Sequence, residues 1–290
     1  MINSSEPMAK RKDMSEPAQA AGKSPQQITA LARGLELLRC FGNGAEYLGN
    51  AELAERTGIP RPTVSRITAT LTQLGYLLYI ADLERYRLGP GVMDLGYRYL
   101  ASEGVSTLAR PFMQELAEAT DCMIALGAPE ATHITYIQCC QGSGPLILRM
   151  QTGSRVPIGL SAMGRALLAG MTPAQRAPYL EAVQRDNPSD WPAIEDSLEA
   201  AYAEYATYGF CTSQAEWSRD ISGVGVPLYI EAEQRMLAFN CGGAAQRLTQ
   251  QVLTDNLGPR LKALVEQVEA LLTGQGMMPS QSHSGQGGSS

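Results

Sequence analysis

The stretch NAELAERTGIPRPTVSRITATLTQLGYL, residues 50–77, puts basic and hydroxyl side chains at the start of a helical pattern that then turns apolar. Arg61 and Arg66 can neutralise phosphates or make two-pronged bonds to guanine edges, and Thr63 and Ser65 can bond phosphates or base edges. The first N–H groups of a helix favour an anion as well. Pro60 and Pro62 stiffen the approach to that helix, and Asn50 and Thr70 complete the polar set around it. Further on, RYRLG carries Arg85 and Arg87, which a hairpin would present like a wing to the adjacent backbone. The chemistry open to this group is recognition of duplex nucleic acid rather than bond making.

A second group is Ser161-Ala162-Met163-Gly164-Arg165, which follows a strand-and-loop stretch and opens a helix. Unpaired N–H groups at such an end can hold a small carboxylate. A serine cap plus a packing glycine, with nothing bound, reads the same way. Gly223-Val224-Gly225 is followed by Val-Pro instead of a helix start, which makes a dinucleotide loop a poor reading. The chain has two histidines, and the second lies in a Gly/Ser tail, so a His-rich zinc centre or a His-dependent triad has only His133 to build on. None of the six cysteines forms a C-x-x-C pair, and with no export signal they read as reduced thiols. Cys139-Cys140 read as small buried strand residues, because no basic residue close in sequence would activate a thiol. Trp191 and Trp217 suit a pocket wall or a core equally. No metal and no cofactor are expected.

These groups need elements to position them. Ile28, Leu31, Leu35 and Leu38 recur on one face of a helix that Ser24-Pro25 would start. Asn50 reads as the cap of a second helix, with Leu53 and Ala54 facing in and Gly58 ending it. A third runs from about Arg61 to Leu74 on a Val64/Ile67/Leu71 stripe, and Gly75 stops it. YLLYI and RYRLG around residues 81–84 make a hairpin. Three helices and a hairpin are the layout of a winged helix-turn-helix, whose second motif helix enters the major groove by its N-terminal end. VMDLGYRYLA then reads as a connecting helix, and Thr107–Thr120 as a helix with Leu108, Phe112, Leu116 and Ala119 inward. Later, CMIALGA, HITYIQCC, PLILRM, ISGVGVPLYI and MLAFNCG are strand-like. SAMGRALLAG, SLEAAYAEYATYG and a final segment interrupted near Gly258-Pro259 are helical. Strands bracketed by helices predict an α+β domain with an antiparallel sheet.

The 290 residues suit about two domains. The net charge of -6 hides an asymmetry: residues 1–100 hold 12 Lys/Arg against 10 Asp/Glu, and the rest 11 against 19. A mildly basic first third suits contact with phosphate by that part alone. No apolar run approaches the roughly 20 residues of a membrane span. Residues 1–23 lack the apolar stretch of a secretory signal, so a cytoplasmic location is expected. The predicted organisation is a disordered tail at 1–24, a winged helix-turn-helix at 25–90, a linker helix at 91–103, an α+β domain at 104–274 and a disordered tail at 275–290.

ALARGLELLRCF, the helix-turn-helix segment, ERYRLGPGVMDLGYRYLA, LARPFMQELAEAT, SAMGRALLA and GVGVPL resemble, in order and spacing, the IclR-type transcriptional regulators over residues 26–273. The resemblance implies a winged helix, a linker helix and a GAF-like effector-binding domain. It further implies a homodimer or homotetramer that represses or activates nearby catabolic genes from double-stranded operator DNA. Carried over, the pocket for a small organic effector, an organic or aromatic acid, would be lined by Ala162, Met163, Ser213, Gly223, Asn240 and Gly242, with Gly164 beside them. Ser213 stands where the family often has an acidic residue, and Gly223 where it often has a cysteine. That departure implies a roomier, less negative pocket and a ligand larger than a two-carbon acid. The competing readings are a thiol-based redox-responsive regulator and a small-acid enzyme on the C-terminal domain.

Overall fold

The computed structural model of the chain describes residues 28–42, 45–142 and 150–275. The expected tail at 1–24, residues 276–290 of the second tail, the Ser24-Pro25 cap and residues 145–149 of the PLILRM strand lie outside the described residues, while Gln275 still belongs to the last helix. The chain folds as two compact units, with the boundary between Tyr97 and Arg98.

In the first unit, α1 (Thr29–Arg39), α2 (Asn50–Thr57) and α3 (Arg61–Gln73) precede an antiparallel hairpin of β1 (Leu77–Ile80) and β2 (Arg85–Leu88). Leu37, Leu48, Leu53, Ile59, Val64 and Leu77 close its small core. Each such side chain contributes about 1.5–3 kcal/mol by leaving water. Gly58 ends α2 at φ 69°. Gly75, at φ 80°, ends α3: its N–H bonds Thr72 O and the Tyr76 N–H bonds Leu71 O, a Schellman pair. The α1 stripe corrects the reading from periodicity. Ile28, Leu31 and Leu35 are 68%, 61% and 52% exposed, and the buried face is Gly34 and Leu37.

Helix α4 (Pro90–Ser102) carries the chain across the unit boundary and buries none of its residues. In the second unit, α5 (Gly104–Thr120) buries Ala109, Met113, Leu116 and Ala117. Leu108 and Phe112 pack beside them, but Ala119 is exposed, so the inward stripe lies a step round from the expected one. The six-stranded antiparallel sheet has the order β5-β4-β3-β8-β7-β6. Its strands are β3 (Met123–Glu130), β4 (His133–Gln141), β5 (Arg155–Pro157), β6 (Cys211–Gln214), β7 (Ile221–Ile230) and β8 (Arg235–Ala244).

Alternation along the strands builds two cores. Cys122, Ile124, Leu126, Val224, Phe239 and Cys241 pack with α5 and the C-terminal helix. Met123, Ala125, Tyr136, Met236 and Ala238 pack with α6 (Ala162–Gly170) and α8 (Trp191–Tyr208). Sequence reading omits β5, β6 and α7 (Pro173–Asp186), the last of which buries only Ala182 and Val183. The C-terminal helix is interrupted as expected. Between α9 (Gln250–Val252) and α10 (Gly258–Gln275) lies a π turn at Leu253–Leu257, closed by the Gly258 N–H on Leu253 O. Pro259 has no N–H to continue the α pattern. A Cβ on Gly258 would meet the Phe210 ring at 2.4–2.7 Å, so glycine is required there by packing.

Candidate functional sites

The first site is the exposed face of α3. Arg61, Pro62, Ser65, Arg66 and Thr70 are exposed and Thr63 half-buried, while Val64 and Thr68 are fully buried on the other side. Asn50 is not the cap of α2. Gly49 holds that position, and its N–H bonds Glu52 Oε2 at 2.8 Å. The Asn50 amide instead joins the two helices, donating to Ser65 Oγ at 3.2 Å and accepting from Thr68 Oγ1 at 3.1 Å. This satisfies the buried Thr68 hydroxyl and fixes the angle at which α3 leaves α2. On the hairpin, Arg85 bonds Tyr47 O at 3.2 Å and pairs with Glu52 at 3.3 Å, tying the wing to α2. Arg61, Arg66 and Arg87 make no side-chain hydrogen bond or ion pair among the described residues and are open to an external anion.

The second site is a narrow cleft on the α6 side of the sheet. Its floor is Met123 of β3, Tyr136 of β4, Gly223 of β7, and Asn240 and Gly242 of β8. Ser161 and Ala162 at the start of α6 form one wall, Ser213 of β6 another, and Met150, Trp217 and Ile221 the rim. Ala162, Ser213, Gly223, Asn240 and Gly242 are therefore together, as the resemblance implies. Met163 and Gly164 are not among the lining residues. Met163 is fully buried in the core, and a Cβ on Gly164 would lie 2.0 Å from Ile158 O. Gly164 is there because α6 presses on the Ile158 backbone. Met123, Tyr136, Met150 and Ile221 had no sequence signal, since chain-distant apolar residues meet only once the sheet is assembled.

The cleft is closed down, with free room for about one water molecule. The expectation of a roomy pocket is corrected on this point. The space left by Gly223 and Gly242 is occupied by the Asn240 amide, whose Oδ1 and Nδ2 lie 3.3 and 2.9 Å from where their Cβ atoms would be. Among the described residues no charged side chain lines the cleft. Its polar groups include the Asn240 amide, the Tyr136 hydroxyl, whose pKa burial raises, and the Ala162 backbone at the start of α6. Ser161 Oγ takes up the Gly164 N–H at 3.2 Å and donates to Pro157 O at 2.6 Å, leaving the Ala162 and Met163 N–H groups without helical acceptors. Ser213 Oγ donates to Leu160 O at 2.9 Å, which holds β6 against the loop before α6.

Arg165, one turn into α6, is buried and points away from the cleft. It makes a two-pronged pair with Glu216 and bonds Ser197 Oγ and Thr212 O. Burial would raise the Glu216 carboxyl, but the Arg165 hydrogen bond and charge outweigh it and hold the group below its usual range. The pair anchors the β6–β7 loop that carries Trp217. Trp191, the other wall candidate, starts α8 and packs into the core beside the cleft. At the far end of β8, Arg235 makes a two-pronged pair with the buried Glu103, at 3.1 and 2.7 Å, just after α4.

The thiols and the histidine do less. Cys139 and Cys140 pack on opposite faces of the sheet, and burial raises both, Cys139 to about 12. His133 Nδ1 faces Thr132 Oγ1 at 3.0 Å, with Arg155 and Glu130 nearby. Among the described residues no cluster of His, Cys, Asp or Glu is arranged to hold a metal, and no helix is long and apolar enough to cross a membrane.

Comparison with known proteins follows the same division. Residues 30–80 match the IclR helix-turn-helix domain, and residues 97–270 match the C-terminal domain of bacterial transcriptional regulator IclR. The chain is 30% identical over 247 residues to the Pca regulon regulatory protein of Pseudomonas putida, covering 84% of each. It is 29% identical over 245 residues to the HTH-type transcriptional regulator TsaQ1/TsaQ2 of Comamonas testosteroni, covering 84% of this chain and 88% of that one. Among solved structures, an IclR family transcriptional regulator from Brucella abortus is 41% identical, with a TM-score of 0.76 over 85% of this chain and 93% of the other.

Proposed function

Because this chain belongs to the IclR family of bacterial transcriptional regulators, we propose that it binds operator DNA through α3 and is controlled by a small aromatic acid held in the cleft beside α6. The observation that carries the DNA reading is the division of α3 into a buried Val64/Thr68 side and an exposed Arg61/Ser65/Arg66/Thr70 side. A homodimer would present two such helices to a palindrome with half-sites about one helical turn apart. The exposed apolar residues of α1 (Ile28, Leu31, Leu35) and α4 (Met93, Tyr97) are suited to a second copy of the chain.

The ligand class follows from the cleft. A carboxylate suits the free N–H groups opening α6, a ring suits Met123, Tyr136 and Trp217, and a ring hydroxyl suits the Asn240 amide. Ligand entry requires Asn240 to swing aside, and Asn240 lies five residues along β8 from Arg235. Binding in the cleft can bias α4 through β8 and the Arg235–Glu103 pair, provided the ligand favours one arrangement over the other.

Fluorescence anisotropy on the protein's own promoter fragment against random duplex, at moderate salt and with and without hydroxybenzoates, tests the reading. A preference for the promoter that an aromatic acid alters is expected. Equal affinity for both duplexes under every condition would overturn it.

A further inference from the structure

On the face of the sheet away from the cleft, the chain brings together two cysteines that are 119 positions apart in sequence. Cys122 immediately precedes β3, and Cys241 of β8 is the register partner of Ile124, two residues on from Cys122. Strand alternation therefore turns both side chains to the same face, where they share one core cluster and each thiol perturbs the ionisation of the other, while the Cys122 thiol donates to Thr120 O at 3.4 Å. Cys122 is buried, at 3% exposure, but it lines a narrow crevice with Asp121, Gly142, Gly242, Gly243 and Arg247, where there is room for about one molecule of water's size.

We propose that Cys122 and Cys241 are a peroxide-oxidisable thiol pair, forming a disulfide that joins β3 to β8 behind the cleft. The Cys122 thiolate attacks hydrogen peroxide, an S–O bond forms and the O–O bond breaks, and the departing hydroxide takes a proton to leave as water. The Cys241 sulfur then attacks the sulfenic sulfur. An S–S bond forms, the S–O bond breaks, and a second water leaves with the Cys241 proton. The two thiols lose two electrons and two protons, and the peroxide is reduced to two waters. The order of attack follows the environment. The neighbouring Cys241 thiol, then Thr120 and the Arg247 charge, lower the Cys122 thiol against the effect of burial, whereas the Cys122 thiol and burial raise Cys241, which keeps its proton. Cys139 and Cys140, raised by burial and on opposite faces, are spectators. Met123 and Gly242, next to the two sulfurs in sequence, line the cleft, so the cross-link would stiffen its floor. That consequence rests on the effector reading, while the cross-link does not.

The full-length protein, treated with a small molar excess of hydrogen peroxide, alkylated in acid and digested, provides the test by mass spectrometry. The expected result is a linked peptide pair joining Cys122 to Cys241, 2 Da below the sum of the two thiol peptides and reversed by dithiothreitol. The linkage should be absent in Cys122→Ser and Cys241→Ser variants that melt like the parent; where serine unfolds the chain, Cys122→Ala and Cys241→Ala serve instead. Both thiols remaining alkylatable, a linkage between other cysteines, or sulfinate at Cys122 without a linkage would each overturn the proposal.

Discussion

Alanine at Gly242 and alanine at Gly225 are the same chemical change with different expected outcomes, and the pair separates the cleft's binding role from its packing role. A Cβ on Gly242 would meet the Asn240 Nδ2 at 2.9 Å and Ser222 O at 3.5 Å. The close neighbour is the end of a side chain that can turn, so the stability cost should stay below about 1 kcal/mol. A Cβ on Gly225 would meet Ala162 O at 2.4 Å, its carbonyl carbon at 2.6 Å and Met163 Cα at 2.7 Å, all backbone of α6. Accommodating it means moving the helix, at about 1–3 kcal/mol or more. The parent protein at 100 times the Kd of a bound acid gains about 2.7 kcal/mol. For a unit of this size that is a rise in Tm of about 5–10 °C. In Gly242→Ala the displaced amide and the new methyl fill the ligand's place. The melting temperature without ligand should stay within a few degrees of the parent, and the ligand-induced rise should vanish. Differential scanning fluorimetry across a panel of aromatic acids reads both quantities at once. If Gly242→Ala kept the full rise, the cleft would not be the binding site. If it melted as low as Gly225→Ala, Gly242 would be a packing residue and the argument from Asn240 would fail.

Three further outcomes are expected. Arg66→Ala should weaken operator binding by about 1–3 kcal/mol if the guanidinium reads a base edge. If it meets only a phosphate, titrations against salt should instead lose about 0.9 from the log–log slope. Glu216→Gln leaves the buried Arg165 short of its charged partner and should cost about 1–3 kcal/mol in urea unfolding, whereas Glu195→Gln, on the exposed side of α8, should cost little. Burial, and then the charge of Arg155, lower the His133 pKa, so the unfolded chain binds its proton more readily than the folded one. Stability should therefore fall as pH drops below about 6.5, and His133→Gln should flatten that part of a Tm-versus-pH curve; an unchanged curve would mean that the imidazole is not sensed.

Much of the first unit was legible because its signals are local. Gly58, Gly75, the Val64 stripe and the two β-rich runs of the hairpin each act within a few residues, and the structure contains all of them. Two local signals misled. Asn50 has the composition of a cap, but Gly49 with Glu52 fills that role, and the amide serves the neighbouring helix. The α1 period shows that the helix has an apolar face, yet cannot say that the face is covered by the same unit. In the second unit, α7 escaped notice because two buried residues and an internal proline leave it little amphipathic pattern. The cleft was half legible. The residues found, among them Ala162, Gly223 and Asn240, lie in motifs that the resemblance supplied, while Tyr136, Met150 and Ile221 join through strand pairing between distant segments. The Cys122–Cys241 pair was invisible for the same reason.

The Arg165–Glu216 clamp fixes the backbone next to Trp217, one of only two tryptophans in the chain, and the other, Trp191, packs into the core. With Trp191 replaced by phenylalanine, the protein would carry a single tryptophan, seated on the rim of the cleft and excited selectively over the tyrosines at long wavelength. Its emission wavelength and quenching by iodide would follow occupancy of the cleft directly, free of any label and before any DNA is added.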